Sequence, residues 1–476
     1  MKICLLGLEG AFPELLFQDE RLVNLRRLME LGAYGGLQGV VPPGSVPGWI
    51  CLAASQDPGS LGVYGLRNRP DYSYSAPALA APPVVHGSAL WDQVAAAGKK
   101  SIMLAVPPNF PPRSLNGISV GCFLTPDTAA EFVSPASLQG QIHRLVGSYV
   151  PNMKLTAGWN KDDLRDQILG VSRQHWEVAR WLLQEQEWDY FHFVDIGLDR
   201  VQRVFWEDSD PQHPRHPTGS PYQNVIPDYC LWLDEQIGSL LELLDEETVL
   251  LLASPSGMQR LRGGFAINQW LWQEGLLVLN RPPGPGITSF DQLDINWSRT
   301  KVWADDRTFA SVYFNVEGRE PQGIVPAASY DAFRDEVKAK LETLSTLHAQ
   351  VLKPGEIYRQ TRNVAPDLMV QFGEGNWSSV GSVGHPGLYS KETYEGCLPG
   401  GPGLFVLTAP NSPLSGAVEG ASLLDMAPTL LDLAGYEIPR SMQGRSLVAA
   451  MDKKRDNSGQ DQEQIILDRL AGLGYV

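Results

Sequence analysis

Positive charge is what this chain has least of. In 476 residues, 38 Lys and Arg stand against 54 Asp and Glu, a formal net charge of −16. With no cationic excess to neutralise phosphates, the composition argues against nucleic acid or an anionic membrane as a partner, and leaves open only a local basic pocket for a small anion. Cysteine is scarce as well: Cys4, Cys51, Cys122, Cys230 and Cys397 are scattered, with no C-x-x-C spacing. That argues against a disulfide framework or a zinc-thiolate site and predicts reduced, buried thiols. No window approaches the roughly 18 apolar residues of a membrane span. The opening "MKICLLGLEG" carries too short an apolar run for a signal peptide and no cleavage-like site follows it, so a cytoplasmic location is expected.

What is present is an ordinary globular balance, 43% hydrophobic and 19% charged, in a chain long enough for a large core. Short apolar runs alternate with helical patterns. "KICLLGL" reads as a strand; Leu22, Leu25, Leu28 and Met29 then recur at helical spacing, with Gly32 in the place of a C-cap. "ALWDQVAAAG" reads as a helix stopped by glycine before the strand "KKSIMLAV". Leu164, Ile168, Val171, Val178 and Leu182 mark one face of a long helix leading into "WDYFHFV", and "ETVLLLA" and "PGLFVLTA" are further buried strands. The alternation predicts an α/β fold, a doubly wound and mostly parallel sheet with helices on both faces.

The expected division is a core of residues 1–262 and 373–448, a smaller α+β insertion over 263–372 placed like a cap, and a polar tail over 449–476. The insertion carries "INQWLWQEGLLVLN", the linker "RPPGPG", the strand-like "SVYFNVEGREPQG" and the helix-like "AFRDEVKAKLETL"; Trp270, Trp272 and Trp303 in it read as packing. In the tail, Ile465, Ile466, Leu467 and Leu470 could dock a last short helix.

One stretch raises a question. "LLASPSGMQR", Leu251 to Arg260, is a buried strand that breaks at a Pro-Ser-Gly turn. Ligands of open α/β sheets sit at the carboxyl ends of the strands, yet this turn offers a hydroxyl and no strong ligand or base.

The segments "LGLEGAFPELL", "VVPPGSVPGW", "DPGSLGVYGL", "LDRVQRVFWEDSDPQHP", "FAINQWLWQEGLL" and "ASLLDMAPTLLDLAGYEIPRSMQGRSL", in this order, resemble the type I phosphodiesterase/nucleotide pyrophosphatase family of the alkaline phosphatase superfamily over nearly the whole chain. The resemblance implies an alkaline phosphatase-like core and hydrolysis of phosphoric esters by two divalent metals, usually zinc, across a Thr or Ser nucleophile. In such chemistry one cation lowers the nucleophile's pKa while the other stabilises the leaving oxygen.

Carried over position by position, the family pattern is depleted. Its first metal Asp falls on Glu9, whose extra methylene displaces the carboxylate beyond the ~0.2 Å tolerance of a zinc site. The nucleophile falls on Ser45, which can equally be read as the N-cap of a helix beginning near Pro47. The D-x-x-x-H pair reads Asp199 to Arg203, and a guanidinium has no lone pair to give a metal. The Asp-His-Gly turn has become Ser254-Pro255-Ser256-Gly257, and Gly-Lys-His-Gly has become Gly59-Ser60-Leu61-Gly62. The last His falls near Pro399, or Glu392 if the loop shifts, with His385 the nearest imidazole.

The eight histidines do not regroup. His213 and His216 lie in a Pro-rich loop of structural character, His175 interrupts the apolar face of a helix, and His143 and His86 have no evident partner. Asp195 and Asp199 could be paired acid-base carboxylates, but a salt bridge of each to Arg200 or Arg203 is the expected fate.

The leading expectation is therefore a metal-free pseudoenzyme without cofactor, holding a phosphate- or sulfate-containing small ligand with Ser45, Arg203, Asp199 and Ser256. Its rival is an active phosphoric ester hydrolase with Ser45 as nucleophile and one divalent metal, such as zinc, on Glu9, Asp199 and either Glu392 or His385. In that rival Arg203 acts on transition-state charge. A third reading is a non-catalytic interaction module. An Arg203 guanidinium bonded to Asp199 favours the first reading and one turned outward favours the second.

Overall fold

The computed structural model describes residues 1–80, 87, 89–153, 160–284, 286–305, 308–344, 347–390 and 395–449. Its centre is a sheet of ten strands: β1 (Lys2–Leu8), β2 (Ala33–Gln38), β3 (Ser101–Leu104), β4 (Gly117–Val120), β5 (Val133–Ser134), β6 (Tyr190–Asp195), β7 (Thr248–Ser254), β8 (Gly403–Thr408), β9 (Gly416–Ala417) and β10 (Ala421–Ser422). The spatial order is β9-β2-β8-β7-β1-β6-β3-β4-β5, with β10 also on β2. Pairing is parallel except where β8 meets β2 and β7 and where β5 meets β4. The apolar runs read from the sequence are these inner strands, buried on both faces as parallel strands between helices must be.

Alternation along β1 divides the core. Cys4, Leu6 and Leu8 face one side, where helices α1 (Val23–Leu31), α3 (Lys161–Glu185), α4 (Gly197–Ser209) and α5 (Val225–Leu241) pack; Ile3 and Leu5 face the other, with α2 (Ser45–Ala54), the helix Leu90–Ala96 and α6 (Met426–Ala434). The doubly wound arrangement is thus the one expected. Helix α3 is the long predicted helix, begun where Asn160 Oδ1 accepts from the Asp163 backbone N–H at 2.8 Å.

Two glycines separate two physical roles. Gly98 follows its helix at φ +73, the left-handed stop the sequence suggests. Gly32, expected to cap α1 in the same way, is extended (φ −139, ψ −160). A Cβ there would lie 2.1 Å from the Leu407 carbonyl oxygen, so glycine is needed because β8 passes against it.

After β7 the chain builds a second core. The strands Val302–Ala304, Ala310–Phe314, Leu368–Gln371 and Gln350–Leu352 form an antiparallel sheet in that order. The helix Tyr330–Glu342 packs Val337 and Leu341 into it, and Phe265, Trp270 and Trp303 are buried there. The predicted strand "SVYFNVEGREPQG" shortens to Ala310–Phe314, because Glu317 and Gly318 turn the chain. No helix among the described residues is long and apolar enough to cross a membrane. The tail beyond Ala449, with its expected docking helix, lies outside the described residues.

Candidate functional site

Glu9 follows β1 directly, Asp199 sits in the first turn of α4 after β6, and Ser45 begins α2. All three line a cleft of about 730 Å³ at the carboxyl ends of the central strands, and residues of the second core, among them Phe290, Asp305 and Phe309, form its other wall. The size is that of a site for a small organic ligand.

Ser45 and Trp49 are four residues apart on α2 and project on one side of it. Both donate to the same oxygen: Ser45 Oγ reaches Glu9 Oε2 at 2.9 Å and Trp49 Nε1 reaches it at 2.5 Å. The Trp49 ring fits because position 7 is glycine, where a Cβ would stand 2.4 Å from the indole. Helix α2 is N-capped by Gly44 at φ +149 and has no side-chain cap, so the N-cap reading of Ser45 is corrected: its hydroxyl is turned onto Glu9.

Glu9 is 3% exposed. Burial, reinforced by the nearby negative charge of Asp199, pushes its carboxyl up to about 7 against the hydrogen bonds of Trp49 and Ser45. Asp199 has the opposite fate. Burial would raise it, but the guanidiniums of Arg203 and Arg200 outweigh burial and hold it below the usual carboxylate range. Arg203 Nε donates to both Asp199 oxygens at 2.9 Å, and Arg200 Nη1 donates to Oδ2 at 2.7 Å. Arg203 Nη1 reaches across to Glu395 Oε2 at 2.6 Å. Arg203 is therefore held between two carboxylates, and its own proton is bound more tightly for it.

The sequence model of the family described as Type I phosphodiesterase / nucleotide pyrophosphatase matches residues 3–397. The chain belongs to this family. A search of curated protein sequences found no match. Among solved structures, human ectonucleotide pyrophosphatase/phosphodiesterase 5 is similar at a TM-score of 0.56 and 12% identity, covering 92% of this chain and 96% of that one. An inactive form of the murine counterpart in complex with AMP gives 0.53, 12%, 92% and 96%. Phosphonoacetate hydrolase from Sinorhizobium meliloti 1021, in complex with phosphonoformate, gives 0.57, 14%, 91% and 96%. At these identities the structures establish the alkaline phosphatase-like fold alone.

The donors present do not fit the metal pair of this phosphodiesterase family. Among the described residues no group of three or more His, Cys, Asp or Glu side chains could hold a metal. Of the two carboxylates that the resemblance pointed to, Asp199 already accepts guanidinium N–H bonds on both oxygens and Glu9 accepts from Ser45 and Trp49. A metal on the Asp199 oxygens would have to compete with both Arg200 and Arg203.

The remaining expected residues spread out. Ser256 is 3% exposed and is not among the described residues that line the cleft. Its carbonyl accepts from Ser254 Oγ at 2.8 Å, which closes the Pro255 turn, and a Cβ on Gly48 would lie 2.4 Å from the Pro255 ring, so the turn is pressed onto α2. Pro399 does line the cleft; His385 is bonded through Nε2 to Ser382 Oγ at 2.8 Å, and Glu392 lies outside the described residues.

The salt bridge expected for Asp195 is corrected. Its carboxylate accepts from Tyr229 Oη at 3.0 Å and from the Gly197 N–H at 3.1 Å, and it is not among the described residues that line the cleft. Burial raises it to about 6. His175 is a core residue bonded to the Val150 carbonyl at 2.9 Å and lowered by burial to about 4. His143 and His216 bond the carbonyls of Gly147 and Glu207, His213 Nδ1 accepts from the Arg215 N–H, and His86 lies outside the described residues. Sequence reasoning missed Trp49 and Glu395. The i,i+4 relation to Ser45 could have found Trp49; Glu395 meets Arg203 across 192 positions, with no local signal.

Proposed function

We propose that the protein is a metal-free pseudoenzyme of the phosphodiesterase family that binds a small phosphate- or sulfate-bearing ligand in the cleft above Ser45. One observation carries the reading: the Arg203 guanidinium is turned inward onto Asp199 and Glu395. A permanent, planar cation, which cannot ligate a metal, stands in the place of the imidazole of the family's D-x-x-x-H pair. The charge once owed to a divalent ion is thereby supplied by the chain itself. The rival hydrolase needs Asp199 released from that pair, and the bond of His385 to Ser382 gives it no added support.

The cleft, walled by Phe290, Phe309 and Phe123 together with Ser45, Ser289 and Ser382, favours a ligand over a purely structural module. A cytoplasmic location is supported by five cysteines that are all buried and unbridged. The net charge of −16 supports a small molecule rather than nucleic acid or membrane as partner.

The test is metal analysis of the purified protein together with hydrolysis of bis-p-nitrophenyl phosphate. The expected result is no stoichiometric zinc and no turnover. Zinc at one or two equivalents, with turnover abolished by Ser45→Ala, would overturn the proposal.

A further inference from the structure

The segment from Tyr64 to Leu79 leaves the core after α2 and crosses to the second core as a strap. Its ends pair antiparallel, Arg67–Asn68 with Ala78–Leu79. Between them it is fastened at two points. The Arg69 side chain, 4% exposed, donates from Nη1 to Glu320 at 3.4 Å and from Nη2 to the Ser73 carbonyl at 3.1 Å. Its guanidinium lies over the rings of Trp303 and Tyr313, at 5.1 and 4.9 Å from their centroids. The Tyr74 ring stacks parallel on Trp297 at 3.9 Å, and its hydroxyl donates to Asn315 Oδ1 at 2.7 Å. A strap held this way keeps Leu66, Arg67 and Pro77 as part of the cleft wall.

The charges around the cleft give that wall its meaning. Five carboxylates line it, those of Glu9, Asp199, Asp291, Asp305 and Glu395, against three guanidiniums, those of Arg67, Arg200 and Arg203. Arg200 and Arg203 are bonded to Asp199, and Arg203 to Glu395 as well. Arg67 bonds the Pro77 carbonyl at 3.4 Å, and among the described residues no carboxylate pairs with it. An anion entering a cleft with this excess of acids needs a guanidinium that is not already matched by a carboxylate.

We infer that Arg67, set at the cleft wall by a strap fastened through Arg69 and Tyr74, is the residue that selects the anionic group of the ligand. Arg203 holds the floor of the site together and Arg67 reads what enters. The inference rests on the ligand-binding reading above. It assigns charge selection to the fork of Arg67, whose planar donors match two oxygens of a phosphate or sulfate.

The experiment is calorimetric titration of the full-length protein with phenyl phosphate, in the parent, Arg67→Met and Arg67→Lys. Arg67 is exposed, so the fold is expected to survive, and an unchanged melting temperature checks this. The expected result is a Kd raised about tenfold or more in Arg67→Met, with an intermediate value in Arg67→Lys, as for loss of a charged hydrogen bond. Parental binding that persists within twofold in Arg67→Met overturns the role of Arg67 while leaving the ligand-binding reading intact. No binding of phenyl phosphate by the parent overturns that reading and the inference with it.

Discussion

Arg203 and Asp199 lie one helical turn apart on α4, and a single Nε–H of the arginine is shared between both oxygens of the aspartate at 2.9 Å. The pair is mostly buried, with side-chain exposures of 16% and 5%. Glu395 closes the other end of the guanidinium. This internal ion network lines the cleft, and the first expectations concern what happens when it is broken.

Replacing Arg203 by Met leaves Asp199 and Glu395 without their shared cation. The expected loss is about 1–3 kcal/mol of stability, less than for a buried charge stripped of its one partner, because Arg200 still bonds Asp199 and the Glu395 side chain is 40% exposed. The double variant with Asp199→Asn should recover part of it, since the buried carboxylate that keeps Arg200 but has lost Arg203 is then neutral. Thermal or urea unfolding of Arg203→Met, Asp199→Asn and the double variant measures the coupling; strictly additive losses would contradict a shared network.

Metal removal should be without consequence. Because Asp199 is already taken by guanidiniums, dialysis against a chelator is expected to leave the melting temperature unchanged, and added zinc should not raise it. A ligand bound only by the native state would do so. Differential scanning calorimetry in chelator and in excess zinc is the measurement.

Asp195 predicts a pH dependence. Its carboxyl is raised to about 6 from 3.8 by burial, against the hydrogen bonds of Gly197 and Tyr229. The native state therefore holds this proton when the unfolded chain has released it. Its contribution to stability is complete below pH ~4 and is lost as pH rises through about 6. At about 1.4 kcal/mol per pKa unit the loss is on the order of 3 kcal/mol. Asp195→Asn should flatten that part of the stability-pH profile, and a slope unchanged between pH 4 and about 6.5 in the variant would assign it to another group.

Gly48 offers a steric test of how the turn after β7 is seated. A Cβ there would meet the Pro255 ring at 2.4 Å and 3.0 Å. Gly48→Ala should cost about 1–3 kcal/mol through overpacking, and the additional variant Pro255→Gly, which removes the ring Cβ that the new methyl would meet, should relieve it. Urea midpoints of the single and double variants decide the point.

Much of this was legible before the structure. Glu9, Ser45, Asp199 and Arg203 were singled out by the resemblance to the phosphodiesterase family, and all four line the cleft. The inner strands showed themselves as unbroken apolar runs, which a sheet covered on both faces requires. Local reading failed where partners are remote. Asp195 precedes Arg200 by only five positions, yet it ends β6 facing Tyr229 of α5 and never meets the arginines. Gly32 looked like a helix stop and is a point of close approach to β8.

The sequence by itself determined the doubly wound order of elements and the presence of a guanidinium one helical turn after Asp199, because apolar periodicity and side-chain chemistry are properties of short stretches. Only the tertiary structure decided what the guanidinium does. Glu395, 192 residues from Arg203 in the chain, is brought to its far side by the return of the polypeptide through the second core. The Arg69–Glu320 pair, which fastens the strap over the cleft, spans 251 positions. Electrostatic pairing depends on distance and burial, and no local pattern encodes either across such separations.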